Sequence, residues 1–146
     1  MMESTLWLVL VAATGGVAVA MQAQLMGVLD RGLGTLEAIF ITYAGGGLLI
    51  GLVMLLLRGG NLAAWPSLPW YTLTSGAFGL VIVGAIGFSA PRLGLLAALT
   101  VVVAAQYLAS ALLEQYGLFG ATPRPLDLGR LLGVGCMLVG TWLLLR

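Results

Sequence analysis

The sequence predicts an all-α integral membrane protein in which a single domain, residues 1–146, crosses the bilayer five times. Hydrophobic residues make up 61% of the chain, charged residues only 8%, and the mean hydropathy is +1.12. A soluble domain carries about a quarter charged residues, so this chain cannot build a water-facing surface. The apolar residues fall into five runs, each of roughly the 20 residues that cross a bilayer core.

Residue types that the chain lacks exclude several classes of function. There is no histidine, Cys136 is the single cysteine, and the net charge is only +1. Intrachain disulfides, imidazole-based acid–base chemistry and a Cys/His metal site are therefore excluded. The nearly neutral charge offers no patch for nucleic acid. We expect a protein that is not an enzyme and holds no cofactor or metal ion.

The first two predicted spans cover residues 6–29 and 36–57 and are joined by a tight polar turn, Asp30 to Gly34. Thr35 is predicted to cap the second span through its hydroxyl. Glu37 lies in the first turn of that span, where a carboxylate meets the positive end of the helix dipole. Its alternative role is that of a gate or proton-carrying residue.

The later predicted spans cover residues 70–89, 93–113 and 128–145. Pro91–Arg92 is expected to break the chain between the third and fourth spans, since proline disrupts a helix interior. Gly117 is placed to end the fourth span.

Two pairs of glycines at helical spacing predict close-packed faces. Gly47 and Gly51 lie four residues apart in the second span, and Gly129 and Gly133 lie four apart in the fifth. In lipid, small residues at this spacing let two helix backbones approach each other. We expect these glycines to serve helix packing or a dimer interface.

Polar side chains near the middle of the spans are candidates for a substrate path. They are Gln22, Tyr43, Gln106 and Tyr107. An amide in hydrocarbon without a partner costs several kcal/mol, so it should face protein or a water-filled path. The alternatives remain open, because each amide can simply bond its own bundle and each tyrosine can be a buried ring with a bonded hydroxyl.

Glu114 follows the long apolar run of the fourth span, at the end of the helix where a carboxylate opposes the dipole. It therefore requires a partner, and Arg124 and Arg130 are predicted on the same side of the membrane. One interpretation is an ion pair that fixes the following link. The other is a gate or proton site at the mouth of a cavity.

The charged residues do not choose an orientation for the chain. Five spans place three arginines on each side, and there is no lysine: Arg58, Arg124 and Arg130 against Arg31, Arg92 and Arg146. Orientation normally follows the Lys/Arg excess of cytoplasmic loops. The balance favours insertion in both directions, although one loop or the first span can also decide. Opposed copies would form an antiparallel homodimer of ten helices with a substrate path between the inverted halves.

A set of residues spread over the whole chain resembles a known transporter family. It comprises Gln22, the glycine-rich second span, Gln106, the run from Leu113 to Gly120, and the later residues Pro125, Arg130, Gly133 and Gly140. The chain resembles the YdcZ-type family of the drug/metabolite transporter superfamily. Three positions differ from the family pattern, since Glu114-Gln115 stands in place of an Asp-His pair and Met26 in place of an asparagine.

The resemblance implies a multi-pass protein of the bacterial inner membrane that exports a small organic molecule as an antiparallel pair. Related small multidrug transporters use a glutamate within the first span, and this chain has no acid there beyond Glu3. That proton mechanism is therefore not carried over. Two other functions remain open, namely a non-transporting membrane scaffold whose amides hold helices together and a passive channel.

Overall fold

The regular structure of the protein is entirely helical over the part that the computed structural model describes, which is residues 2–57 and 59–146 with side chains from Thr5 onward. Arg58, used in the charge comparison, lies outside the described residues. The α-helices are α1 (Met2–Leu33), α2 (Thr35–Leu56), α3 (Ser75–Leu93), α4 (Leu95–Tyr116) and α5 (Leu128–Leu144). Short 3-10 helices lie in the links, at Leu62–Ser67, Trp70–Thr74 and Leu118–Gly120.

Four segments are long and apolar enough to cross a membrane, and α5 is shorter. The four segments are Thr5–Leu33, Thr35–Leu56, Trp70–Leu93 and Leu95–Tyr116. With 17 residues, α5 rises about 25 Å, which is near the lower limit for a spanning helix. The predicted all-helical membrane class is confirmed with four long helices and one shorter one. A fifth crossing stays a prediction.

The chain divides into two compact units. The first unit is Met1–Arg92 and contains α1, α2 and nearly all of α3, whereas the second is Leu93–Arg146 and contains α4 and α5. In the first unit, α3 uses glycines to accept side chains from its neighbours. A Cβ on Gly87 would lie 2.9 Å from Met26 Cε, and one on Gly84 would lie 2.9 Å from Ile39 Cδ1. A larger residue at either glycine would require the end of the Met26 or Ile39 side chain to move.

The boundary between α1 and α2 differs from the prediction. The polar turn proposed for Asp30 to Gly34 is wrong, because α1 continues through Leu33 and only Gly34 (φ 109°) interrupts the helices. The capping role proposed for Thr35 is also wrong, since its hydroxyl donates to Asp30 and caps no N–H group. The charge of Asp30 is compensated by distant residues, so it can remain helical.

The boundary between α3 and α4 was also misplaced. Pro91 does not break the chain but lies inside the last turn of α3, and the break falls at Gly94 (φ 89°). The proline removes the N–H group of one intrahelical hydrogen bond, yet the helix continues for two more residues, to Leu93. By contrast, the predicted end of α4 is confirmed, because Gly117 is its left-handed C-cap (φ 61°). A Cβ there would lie 3.0 Å from Pro123 Cγ.

Candidate functional site

The predicted path residues belong to helices of both units. Gln22 and Tyr43 lie on α1 and α2 of the first unit, whereas Gln106 and Tyr107 are consecutive residues on α4 of the second. Both amides are exposed on the single chain, as is Tyr107 at 53%. In the described part of the chain, no hydrogen bond joins either amide side chain to another residue. Among the residues that the structure describes, the side chains of Gln22 and Gln106 therefore have no hydrogen-bond partner.

The observed helix ends give the depth of each amide along its helix. Gln22 lies about three residues beyond the middle of Thr5–Leu33, whereas Gln106 lies at the middle of Leu95–Tyr116. At 1.5 Å per residue, Gln22 is displaced by only about 4–5 Å from its midpoint. Both amides thus fall in the central part of a membrane-length helix, where hydrocarbon offers no hydrogen-bond partner.

Tyr43 has a packing contact that the sequence did not reveal. It is half-buried, and its phenol group occupies the space that a Cβ on Gly79 would require. The ring therefore fills a gap between α2 and α3. Its role in a substrate path stays a prediction, as does that of Tyr107.

Among the described residues, Asp30 has the least exposed carboxylate. The sequence did not indicate that this residue pairs with another helix. Its side chain is only 5% exposed, and it pairs with Arg92 at 3.0 Å while the Thr35 hydroxyl donates to its other oxygen. The Arg92 guanidinium also donates to the Phe88 carbonyl at 2.6 Å and lies over the Phe88 ring, 3.7 Å from its centroid. The only available sequence signal was the presence of one acid and one arginine at two predicted helix ends.

The second ion pair confirms one of the two partners predicted for Glu114. Arg130 donates to Glu114 Oε2 at 2.8 Å, and the two side chains are 34% and 37% exposed. Arg124 does not pair with this carboxylate; its backbone N–H donates to the Glu114 carbonyl at 2.9 Å. Glu114 therefore holds both the link after α4 and the start of α5.

Two neighbouring residues complete this arrangement. Gln115 Oε1 accepts the Leu126 N–H at 2.7 Å, and Asp127 caps α5 by accepting the Arg130 N–H at 2.8 Å. Because α5 begins at a capped residue that is tied to α4, the link is fixed at both ends. The amide that stands where the family pattern has an imidazole thus has a structural role here.

Glu37 lies where the sequence placed it, in the first turn of α2. Its side chain turns back so that Oε2 would lie 2.7 Å from a Cβ on Gly34. The position suits a carboxylate at the positive end of a helix dipole. Its role as a gate or proton site stays a prediction, as does that of Glu114.

The glycines predicted to pack helices face open space on the single chain. No atom lies within 4 Å of where a Cβ would extend from Gly47, Gly51 or Gly133, and only Asp127 is near Gly129. These glycines therefore pack against no other helix of the described chain. A dimer interface at these residues stays a prediction.

The length and apolar character of these helices agree with the family that the sequence matches. A family model described as "putative inner membrane exporter, YdcZ" matches residues 7–143. The chain belongs to the YdcZ family. As a YdcZ protein it is a multi-pass protein of the inner membrane in a transporter family, which is not an enzyme class. No curated protein and no solved structure matches the chain.

Proposed function

We propose that this YdcZ protein exports a small organic solute by alternating access, and that two copies inserted in opposite orientations form the transport unit. The observation that carries the proposal is the pair of exposed, unbonded amides, Gln22 and Gln106, in the central part of two membrane-length helices. Leaving such an amide in an apolar medium costs about 2–7 kcal/mol. A second chain or a hydrated path would remove that cost.

The direction of the helices supports insertion in both orientations. The ion pair between Asp30 and Arg92 brings together the C-terminal ends of α1 and α3, so these helices run in the same direction. Alternation of five spans then assigns three arginines to each side, with Arg58 counted from the sequence alone. Without an excess on either side, the positive-inside rule selects no orientation.

The chemistry of the predicted path favours an uncharged or weakly charged solute. Its side chains are two amides and two phenols, which hydrogen-bond and stack but carry no charge. In the described part of the chain, the arginines Arg92 and Arg130 are occupied by carboxylates. A solute with a few hydrogen-bonding groups and an apolar body matches this set of side chains.

Export can be tested by comparing the small molecules released by cells that produce the parent chain or Gln106→Leu. We expect a solute that accumulates outside parent cells to fall to background with Gln106→Leu, because the amide is lost while a membrane-compatible side chain remains. Gln106→Asn is the matched control and should retain part of the export, since it keeps the amide.

The alternative functions predict different outcomes. A scaffold would export nothing, whether as the parent chain or as Gln106→Leu. In the Gln106→Leu variant, chemical cross-linking would no longer capture its dimer. A passive channel would equilibrate the identified solute in inverted vesicles without accumulating it above the outside concentration. Uphill accumulation by the parent, with the dimer retained in Gln106→Leu, is the result that the exporter proposal expects.

A further inference from the structure

The carboxylate of Asp30 joins the ends of three helices in the first unit. Asp30 lies in the last turns of α1, Thr35 is the first residue of α2, and Arg92 lies in the last turn of α3. Thr35 and Arg92 each donate to a different carboxylate oxygen, the latter at 3.0 Å. Because the partners are 5 and 62 positions away in the sequence, one side chain ties α1 to both neighbouring helices.

The space beside this cluster is filled. Met26 of α1 lies against Gly87 of α3, and a Cβ on Gly27 would be 3.7 Å from Pro91 Cδ. Ala38, in the first turns of α2, has no exposed surface. The three helices therefore pack closely at the end that carries Asp30.

The opposite end of the same unit is open. The buried residues of the three helices lie near the cluster, at Ala23, Met26, Gly27, Ala38, Ile86, Gly87 and Ala90. Toward the other end, no atom lies within 4 Å of where a Cβ would extend from several glycines of α1, α2 and α3, namely Gly15, Gly16, Gly45, Gly46, Gly47, Gly51 and Gly76. Within this unit, the buried residues are therefore concentrated at the end that carries Asp30, where only Gly32 also has open space around it among the glycines of α1 and α2 that do not adopt a positive φ.

The two partners of the ion pair differ in exposure. The Arg92 side chain is 49% exposed, whereas that of Asp30 is 5% exposed. The Arg92–Asp30 hydrogen bond is exposed, whereas the Thr35–Asp30 bond is partly buried. Loss of the Arg92 contact removes the ion pair that ties α1 to α3 in the described part of the chain, so that the packed end can open.

We propose that Asp30, Thr35 and Arg92 form a latch that closes this end of the first unit in one half of the transport cycle and releases it in the other. The inference rests on the exporter function proposed above, because alternating access requires one end to close while the other opens. The latch couples two events, the rupture of one ion pair and the separation of three helix ends.

Accessibility of a buried cysteine tests the latch directly. The reporter is Ala90→Cys in a Cys136→Ser background, since Ala90 is 6% exposed and lies two residues before Arg92. The full chain in cell membranes is treated with a membrane-impermeant charged maleimide. We expect slow labelling of the parent and labelling about tenfold faster in Arg92→Gln, because losing a charged partner shifts the closed–open equilibrium by about that factor.

A matched control separates the latch from a general loss of charge. Arg31→Gln removes an exposed arginine that attracts Asp30 without forming an ion pair in the described part of the chain, and it should accelerate labelling by no more than about twofold, as expected of a screened surface charge. The exchange Asp30→Arg with Arg92→Asp should restore slow labelling. Equal labelling of Arg92→Gln and the parent would overturn the latch, as would equal acceleration by Arg31→Gln.

A reversible lock distinguishes failure of the latch from failure of the exporter proposal. Asp30→Cys with Arg92→Cys is oxidised to a disulfide in the Cys136→Ser background and later reduced. We expect oxidation to stop export of the identified solute and reduction to restore it. Export that continues with the disulfide formed overturns the latch and leaves the exporter intact, whereas absence of export from the parent overturns the exporter proposal. If the double variant does not cross-link, the Arg92→Gln labelling rate alone decides.

Discussion

Two arginine–carboxylate pairs, one in each unit, have nearly the same geometry and different surroundings. The pair of Asp30 and Arg92 has an N–O distance of 3.0 Å, and that of Glu114 and Arg130 has one of 2.8 Å. Asp30 is enclosed by three helices at 5% exposure, whereas Glu114 is 37% exposed beside a loop. The two pairs differ in what they join, since the first ties the ends of α1 and α3 and the second fixes the link before α5.

The largest loss of stability is expected when Arg92, the partner of Asp30, is replaced. Arg92→Gln leaves the Asp30 carboxylate buried with only the Thr35 hydroxyl as a partner. We expect Arg92→Gln to lower the unfolding temperature more than any of the variants that follow, because the pair joins two helix ends and the Asp30 side chain is only 5% exposed. Thermal unfolding in detergent measures it, with Arg31→Gln as control. A change no larger than that of the control would contradict the account.

A second prediction concerns the packing beside Asp30. Gly87→Val adds a side chain whose Cβ would lie 2.9 Å from Met26 Cε, and we expect a loss of only about 1 kcal/mol from overpacking, because the flexible end of Met26 can move. Met26→Ala should relieve most of the clash in the double variant, which a double-mutant cycle detects as coupling. Gly47→Val, at a glycine with open space around it, is the control and should not reduce the stability of the single chain. Additive effects of Gly87→Val and Met26→Ala would refute the contact.

The cap of α5 provides an effect of similar size in the second unit. Asp127→Ala removes the acceptor of the Arg130 N–H, and we expect a loss of about 1 kcal/mol, typical of an N-cap. Asp127→Asn should retain most of the stability because its side-chain oxygen can still accept. Unfolding midpoints in detergent compare the two, and equal losses would show that charge rather than the hydrogen bond matters here.

The smallest effect is expected at Glu114 itself. Because both partners are about one-third exposed, Glu114→Gln should lower the free energy of unfolding by only about 0–1 kcal/mol. The decrease in the free energy of unfolding should be smaller still at high salt, because salt screens exposed ion pairs. A loss as large as that of Arg92→Gln would erase the distinction between the two pairs.

The sequence predicted local structure well, but it did not predict an ion pair between residues far apart in the chain. The end of α4 at Gly117 follows from the freedom of glycine to adopt a positive φ, and it is confirmed. The start of α5 near Leu128 follows from the length of the apolar run, and it is also confirmed. The interpretation of Asp30 as part of a turn failed because its charge is balanced by Arg92, 62 positions away. No local pattern encodes such a contact. For the same reason, Glu114 was noticed by its position after an apolar run, whereas Asp30 was not.

The measurement that tests the account most directly is the orientation of the chain in the membrane. Single cysteines are placed at each end of the chain in a Cys136→Ser background, and intact cells are labelled from outside with an impermeant reagent. We expect comparable labelling of both ends, because opposed copies form the proposed transport unit. Labelling of one end only would contradict it, and the unbonded amides of Gln22 and Gln106 would then require a partner other than an inverted copy of the same chain.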